Sequence, residues 1–306
     1  MAESLKNMPW LQYKITTTDQ YADDIGDQLQ QFGAEAVTFE DTFDNPIYEP
    51  LPGDITFWKN TTVSALFQIK TDTSGIARWL QLKKDIGMIN EIHCSTLQDQ
   101  DWERVCLQDV KPIQIGQRLW ICPTWETPPD PKAVNLMLDP GLAFGTGTHP
   151  TTALCLAWLD THIRGGETII DYGCGSGILG LAALKLGAKH VTAIDLDPQA
   201  VSATLENAKR NSIPSAMLDV RLPDQDSNNL QPASILIANI LLQPLLTLAP
   251  HFATLTQPNA HLLLSGILST QIDKIIQTYS EWFIFTSPAM IKADWACVSA
   301  TRKPIN

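Results

Sequence analysis

The sequence predicts an α/β protein, with an open, mostly parallel sheet of seven strands following a smaller α+β domain. Three observations predict it. From residue 150 onward, strand-like apolar runs alternate with helix-period segments, as in a doubly wound, Rossmann-like sheet. Within that region Thr168–Ile170 runs into Asp171 and a turn with glycines at 173, 175 and 177, and a helical segment follows from Ile178 to Leu186. Residues 10–98 read instead as β-α-β-β-α-β, the split βαβ or ferredoxin-like plan.

Taken in order, Met8-Pro9-Trp10 is expected to mark the biological start, with the first seven residues an extension. Trp10–Thr17 alternates as a strand, Asp19–Phe32 is helix-periodic and closes on Gly33, and Ala36–Asp41 is a second strand. A Pro-rich loop over 45–53 leads to strand Val63–Lys70, helix Ser74–Ile86 and strand Glu91–Leu97. This part, residues 1–98, carries no catalytic cluster and is expected to recognise a substrate. Its loop aromatics Tyr48, Phe57 and Trp58 suit packing or an interface. Residues 99–132 read as a linker: a charged helix over 100–110, a strand pair at Pro112–Ile115 and Leu119–Cys122, then prolines at 123, 128, 129 and 131. Such proline density makes a stiff passage, expected to act as a hinge into the third part, residues 133–306.

The chemistry concentrates between Leu138 and Pro198. Glycines at 173, 175 and 177 let the backbone approach a ligand, and the next helix offers its N-terminal amides. The strand His190–Ile194 ends in Asp195, placed about 20 residues on to bind ribose hydroxyls. Gly175-x-Gly177-x-x-Gly180 also fits the dinucleotide fingerprint. Asp171 argues against that reading, because a carboxylate beside the turn repels a pyrophosphate. The same carboxylate suits S-adenosylmethionine, which brings a sulfonium and an ammonium. The structural alternative for Asp171 is a cap on the turn's own amides.

Ahead of this unit stands LDPGLAFGTGTHPTT, residues 138–152, expected to fold over the methionine end of the ligand. Thr151 or Thr152 would suit a helix cap, and His149, a lone histidine before a proline, is more often structural than a proton-transfer group. Beyond Asp195 come helix 198–211, strand 217–222, a polar loop over 224–231 and strand Ala233–Ile240. Asn239 ends that apolar strand at the edge where open α/β sheets bind ligands. Loop capping would satisfy its amide; the functional reading is that its carbonyl oxygen orients an incoming amine. A helix to Phe252, strand His261–Ser265, helix 269–279 and strands 282–285 and 297–301 complete the sheet with an antiparallel end.

Composition narrows the classes. With 44% apolar residues the chain can bury a sizeable core, and 21 basic against 33 acidic residues give −12, which opposes direct nucleic acid binding. Six cysteines show no zinc spacing, so no metal is expected, and none is marked as a nucleophile, although Cys174 falls in the glycine turn. There is no secretory signal, and the longest apolar run, 235–248, is too short for a bilayer. A cytoplasmic protein without membrane contact is expected, and a monomer.

LDPGLAFGTGTHPTT, IIDYGCGSGILGLAALKLGA, AIDLDPQAV, IANIL and LSGIL, with N-terminal MPWLQYKI, EPLPG and RLWICPTW, closely resemble the bacterial ribosomal protein L11 methyltransferase family. The resemblance covers nearly the whole chain from Met8. It implies a class I S-adenosylmethionine-dependent fold and a small N-terminal domain that grips the ribosomal protein. It also implies methylation of several amines of ribosomal protein L11, lysine side chains and the α-amino group. Carried over by position, Thr152, Gly173, Asp195 and Asn239 would contact the cofactor. Tyr172, where related proteins often have Phe, is a slight departure.

The reaction itself constrains the site. Transfer from a sulfonium is an in-line displacement, so positioning carries much of the catalysis. The attacking amine must be neutral: at pH 7 this costs a lysine, with reference pKa ~10.4, roughly 4–5 kcal/mol, against about 1 for an α-amine. Desolvation beside a cation lowers that pKa, so no dedicated base is demanded. Phe144 and Asn239 are the candidates for lining the amine channel. A base-amine methyltransferase of nucleic acids predicts Asn-Pro-Pro-aromatic after the fourth strand, where Asn239-Ile240-Leu241-Leu242 stands. The other rivals are a dehydrogenase and a non-catalytic ribosome-assembly factor.

Overall fold

Alternation of apolar residues organises the first sheet. Here and below, a computed structural model describes residues 8–43, 57–98, 110–139, 149–223 and 230–304. In β1 (Trp10–Thr18) Tyr13, Ile15 and Thr17 are buried at every second position. They face Ala22, Ile25 and Leu29, which recur at helical spacing on α1 (Asp19–Gln31). After β2 (Ala36–Asp41) and β3 (Asn60–Gln68), α2 (Ser74–Asp85) adds Ile76 and Leu80 to the same core. With β4 (Ile89–Leu97) the sheet runs β2-β3-β1-β4, antiparallel throughout. These elements belong to the first of two compact units, Met1–Gln108; the second is Asp109–Asn306. The helix expected over 100–110 lies, except for Val110, outside the described residues.

In the second unit the strand pair expected within a linker is β5 (Ile113–Ile115) and β6 (Leu119–Cys122), joined in parallel by β7 (Val134–Met137). Ile115, Leu119, Ile121 and Leu136 are buried with Leu156 and Leu159 of α3 (Pro150–His162). The described part of the 99–132 passage is thus packed structure of the larger unit. Asp160 fastens it: its carboxylate accepts from Gln117 N (2.8 Å) and Arg118 N (3.2 Å) and pairs with Arg118 Nε at 3.4 Å. On the other edge, Asn211 accepts from Met137 N and donates to Met137 O, both at 2.7 Å.

The main sheet comprises β8 (Thr168–Tyr172), β9 (His190–Ile194), β10 (Leu218–Arg221), β11 (Ala233–Asn239), β12 (Thr256–Leu268), β13 (Phe283–Ile284), β14 (Met290–Lys292) and β15 (Trp295–Arg302). Its order is β10-β9-β8-β11-β12-β15-β13, with β14 added alongside β15. Strands β10 to β12 are parallel and β15 runs antiparallel. Among the described residues eight strands therefore stand where seven were expected. The addition is a three-residue strand with two exposed positions, too short for alternation to reveal.

The parallel strands read as continuous apolar runs because both faces are covered. Ile169, Ile235 and Ile237 point into one core and Ile170, Leu236 and Ala238 into the other. Helices α4 (Ile178–Leu186) and α5 (Pro198–Arg210) follow β8 and β9; α6 (Leu242–Thr254) and α7 (Ile272–Tyr279) follow β11 and β12. The strand order reverses between β8 and β11, and ligands bind such sheets outside the strand ends at that point.

Candidate active site

The turn after β8 is built so that backbone, not side chain, faces the crevice. Gly173, Gly175 and Gly177 have φ of +78°, +55° and +79°, conformations that favour glycine. The amides of Gly173 and Cys174 both donate to Ile194 O, at 2.7 and 3.1 Å, which ties the turn to the end of β9. From α5, Thr204 Oγ1 donates to Gly175 O (3.0 Å) and Asn207 Nδ2 to Ser176 O (2.9 Å). Asp195, at the tip of β9, accepts from Gly175 N (2.8 Å) and from Asp197 N (3.0 Å).

Asp171 stands behind this turn. It is 1% exposed, and its Oδ2 accepts from Gly180 N at 2.9 Å in the first turn of α4, which is the capping arrangement its position allowed. Its Oδ1 is buried with no hydrogen-bond partner among the described residues. Burial, with Asp195 nearby, pushes the Asp171 carboxyl up to about 7 against the pull of the Gly180 amide. Burial likewise pushes the Cys174 thiol far up, so it is no nucleophile.

A cleft of about 280 Å³ opens over the turn, lined by Thr152, Gly173, Cys174, Gly175, Asp195 and Asn239, with apolar walls from Ile178, Leu179, Leu196, Ile240, Pro244 and Leu248. Thr152 and Asn239 come together: Asn239 Nδ2 donates to Thr152 Oγ1 at 3.4 Å, across 87 residues of sequence. The other end of that amide, Oδ1, is buried and unpartnered among the described residues. Gly177 and Asp171 lie behind the lining rather than in it. Phe144 falls outside the described residues.

The cap of α3 is His149, not a threonine, because Pro150 takes the first helical position. His149 Nδ1 accepts from Thr151 N (3.4 Å) and lies 2.7 Å from Thr151 Oγ1, and its ring meets Trp295 edge-on with centroids 4.9 Å apart. Burial lowers its pKa. Thr151 and Thr152 are themselves buried in the first turn. Before the segment 140–148, Asp139 holds the chain by accepting from Thr124 N (2.7 Å) and Oγ1 (2.9 Å), with Arg210 at 3.5 Å.

Among the described residues the lining includes no lysine or arginine and one carboxylate, so a phosphate chain would find no side-chain countercharge from them. An unpaired amide oxygen, a buried unpaired carboxylate oxygen close behind the turn, and apolar walls fit a compact cationic ligand with a flat apolar portion.

Residues 9–303 match the family described as ribosomal protein L11 methyltransferase. The chain belongs to that family. A ribosomal protein L11 methyltransferase from Marinobacter nauticus is 48% identical over 301 residues, covering 97% of this chain and 99% of its own. One from Alteromonas mediterranea is 49% identical, covering 97% and 100%. A crystal structure of a ribosomal protein L11 methylase from Lactobacillus delbrueckii subsp. bulgaricus matches with a TM-score of 0.58 at 32% identity, over 64% of this chain and all (100%) of that one. The mixed α/β fold with a mostly parallel sheet agrees with a class I methyltransferase.

Several residues of this family member's cleft escaped the reading of its sequence. The apolar walls from Ile178, Leu179, Pro244 and Leu248 look like ordinary helix residues, and nothing in their spacing marks them. Leu196 carried a signal: a leucine between Asp195 and Asp197 at a strand tip, 82% exposed in the fold, has no core to enter. Thr204 and Asn207 show only as polar residues on the inner face of an amphipathic helix.

Proposed function

We propose that the cleft at the tips of β8, β9 and β11 binds S-adenosyl-L-methionine and that Asn239 presents an amine of ribosomal protein L11 to it. The observation that carries this reading is Asn239 Oδ1, unpaired among the described residues, in a cleft whose described lining holds no basic residue, in a chain that is about half identical to ribosomal protein L11 methyltransferases. When bound, the cofactor supplies an electrophilic methyl group on a sulfonium. Asp195 and the amide of Gly175, already bonded to each other, hold the ribose end; Leu196, Leu248 and Pro244 enclose the apolar portion; Thr152, Gly173 and the Asp171 carboxylate serve the cationic end.

The remaining chemistry belongs to the acceptor. Asn239 Oδ1 accepts one N–H of the incoming amine and so aims its lone pair. Nδ2, 3.4 Å from Thr152 Oγ1, favours the orientation that turns Oδ1 to the cleft. The apolar walls strip water from the amine and lower its pKa, so the neutral form is reached without a strong base, and the proton leaves to solvent. Phe144 is part of this reading as a wall of the amine channel.

The first unit is read as a ferredoxin-like recognition domain, supported by its β2-β3-β1-β4 order with α1 and α2 packed in one core. The limits 1–98 and 133–306 remain a proposed functional division, with the described residues 110–132 between them packed into the larger unit. A cytoplasmic monomer that does not bind nucleic acid completes the proposal, supported by the net charge of −12. No helix among the described residues is long and apolar enough to cross a membrane. Transfer of labelled methyl from S-adenosylmethionine to purified ribosomal protein L11, with mass spectrometry of the labelled amines, tests the reading; label on nucleic acid, or none at all with donor bound, overturns it.

A further inference from the structure

Gly266 lies in β12, outside the cleft. Its φ is +83°, and a Cβ built there would stand 2.3 Å from the carbonyl oxygen of Ile240, 2.8 Å from its carbonyl carbon and 2.9 Å from its nitrogen. The obstacle is main chain, so no rotamer change relieves it. The pairing of β12 with β15 slips between Ser265 and Ile267, a bulge centred on this residue. The pairing of β12 with β11 ends one residue earlier, with Asn239 opposite Ser265. The chain carrying Asn239 and Ile240 therefore leaves the sheet across a position that must have no side chain. Gly173 also approaches Ile240, but its added Cβ would meet only the side chain, 2.3 Å from Cγ2.

Resting on the reading of Asn239 as the acceptor-amine ligand, we propose that Gly266 is a positioning residue for methyl transfer, its bare Cα setting the Asn239–Ile240 peptide and hence the direction of Asn239 Oδ1. The hydrogen bond from Asn239 Nδ2 to Thr152, at 3.4 Å, is too long to impose that direction alone, which leaves the task to the backbone. Displacing a reacting group by ~1 Å can cost on the order of 10²-fold in rate.

A double-mutant cycle in the full chain tests this, reading single-turnover transfer to ribosomal protein L11 at saturating donor together with donor Kd. Gly266→Ala is expected to slow transfer at least ~10-fold while changing donor Kd less than about threefold. In an Asn239→Ala background the same substitution should cost less than about threefold. In the ligand-free protein the Asn239 side-chain amide resonances should shift in Gly266→Ala. Equal cost in both backgrounds, donor Kd rising in step with the lost rate, or unmoved amide resonances overturns the proposal. Restoration of transfer by adding Ile240→Ala also does so, since the obstacle would then be the side chain. A Gly266→Ala chain without native circular dichroism counts against it too, because the glycine then serves the sheet. Normal transfer by Asn239→Ala alone would remove the acceptor reading itself; an impaired Asn239→Ala beside an unimpaired Gly266→Ala removes this inference only.

Discussion

The tips of β8 and β11 meet across one cleft and are built in opposite ways. In the turn after β8 the protein bonds its own main-chain polar groups, from Ile194 and Asp195 at the tip of β9 and from Thr204 and Asn207 of α5, and the unpaired Asp171 Oδ1 stays behind the turn, outside the lining. After β11 it leaves one unmet, the Asn239 carbonyl oxygen. A surface assembled in advance loses little order when a ligand arrives, which suits a donor used by every turnover. A group kept incomplete gains its hydrogen bond only when the acceptor is present, which suits selection of the acceptor.

Substitutions can break that contrast, beginning with the largest effect. Asn239→Ala should slow methyl transfer by about 10²-fold at saturating donor while donor Kd moves less than about fivefold, measured by single turnover and calorimetry. Equal losses in both would erase the distinction between the two tips. Asp195→Ala should do the reverse, raising donor Kd ~10- to 100-fold, since two turn amides and the ribose lose a charged acceptor. Gly173→Ala should raise donor Kd ~10-fold, partly restored by Ile240→Ala, as its clash is with a side chain.

Asp171 sharpens the comparison through pH. Its folded carboxyl is raised to about 7 from 3.8, so the folded state holds a proton that the unfolded chain has lost between those values, and this group's contribution to stability falls as pH rises through them. Asp171→Asn should therefore raise the Tm of the ligand-free protein at pH 8 and lose that advantage near pH 4. A cationic donor favours the ionised carboxylate, so donor affinity should rise from pH 6 to 8 in the parent chain and stay flat in the variant, by titration calorimetry. The smallest effect is expected at His149: replacement by Asn, which also caps helices, should leave transfer within ~threefold and the pH–rate profile unchanged.

The parallel strands and their helices were legible because each is long and buried on a consistent face; Ile178–Leu186 is helical within the limits its spacing gave. Local geometry was legible too, as at Asp195, where strand tip and glycine turn are adjacent in the motif. What sequence hides is encounter. Thr152 reaches Asn239 only because α3 packs against the sheet, and β7 pairs with β6 across a proline-rich passage that reads as a connector. Gly266 in β12 could not be told from a glycine that merely loosens a strand, because the peptide it admits comes from another strand.

Asn211 has a consequence for solubility. β7 is the last strand of its sheet, and such a margin offers unpaired amides and carbonyls as a template for a neighbouring molecule. By taking both main-chain groups of Met137, one side-chain amide imitates the missing neighbour strand at that residue and shortens the template left for self-propagating assembly.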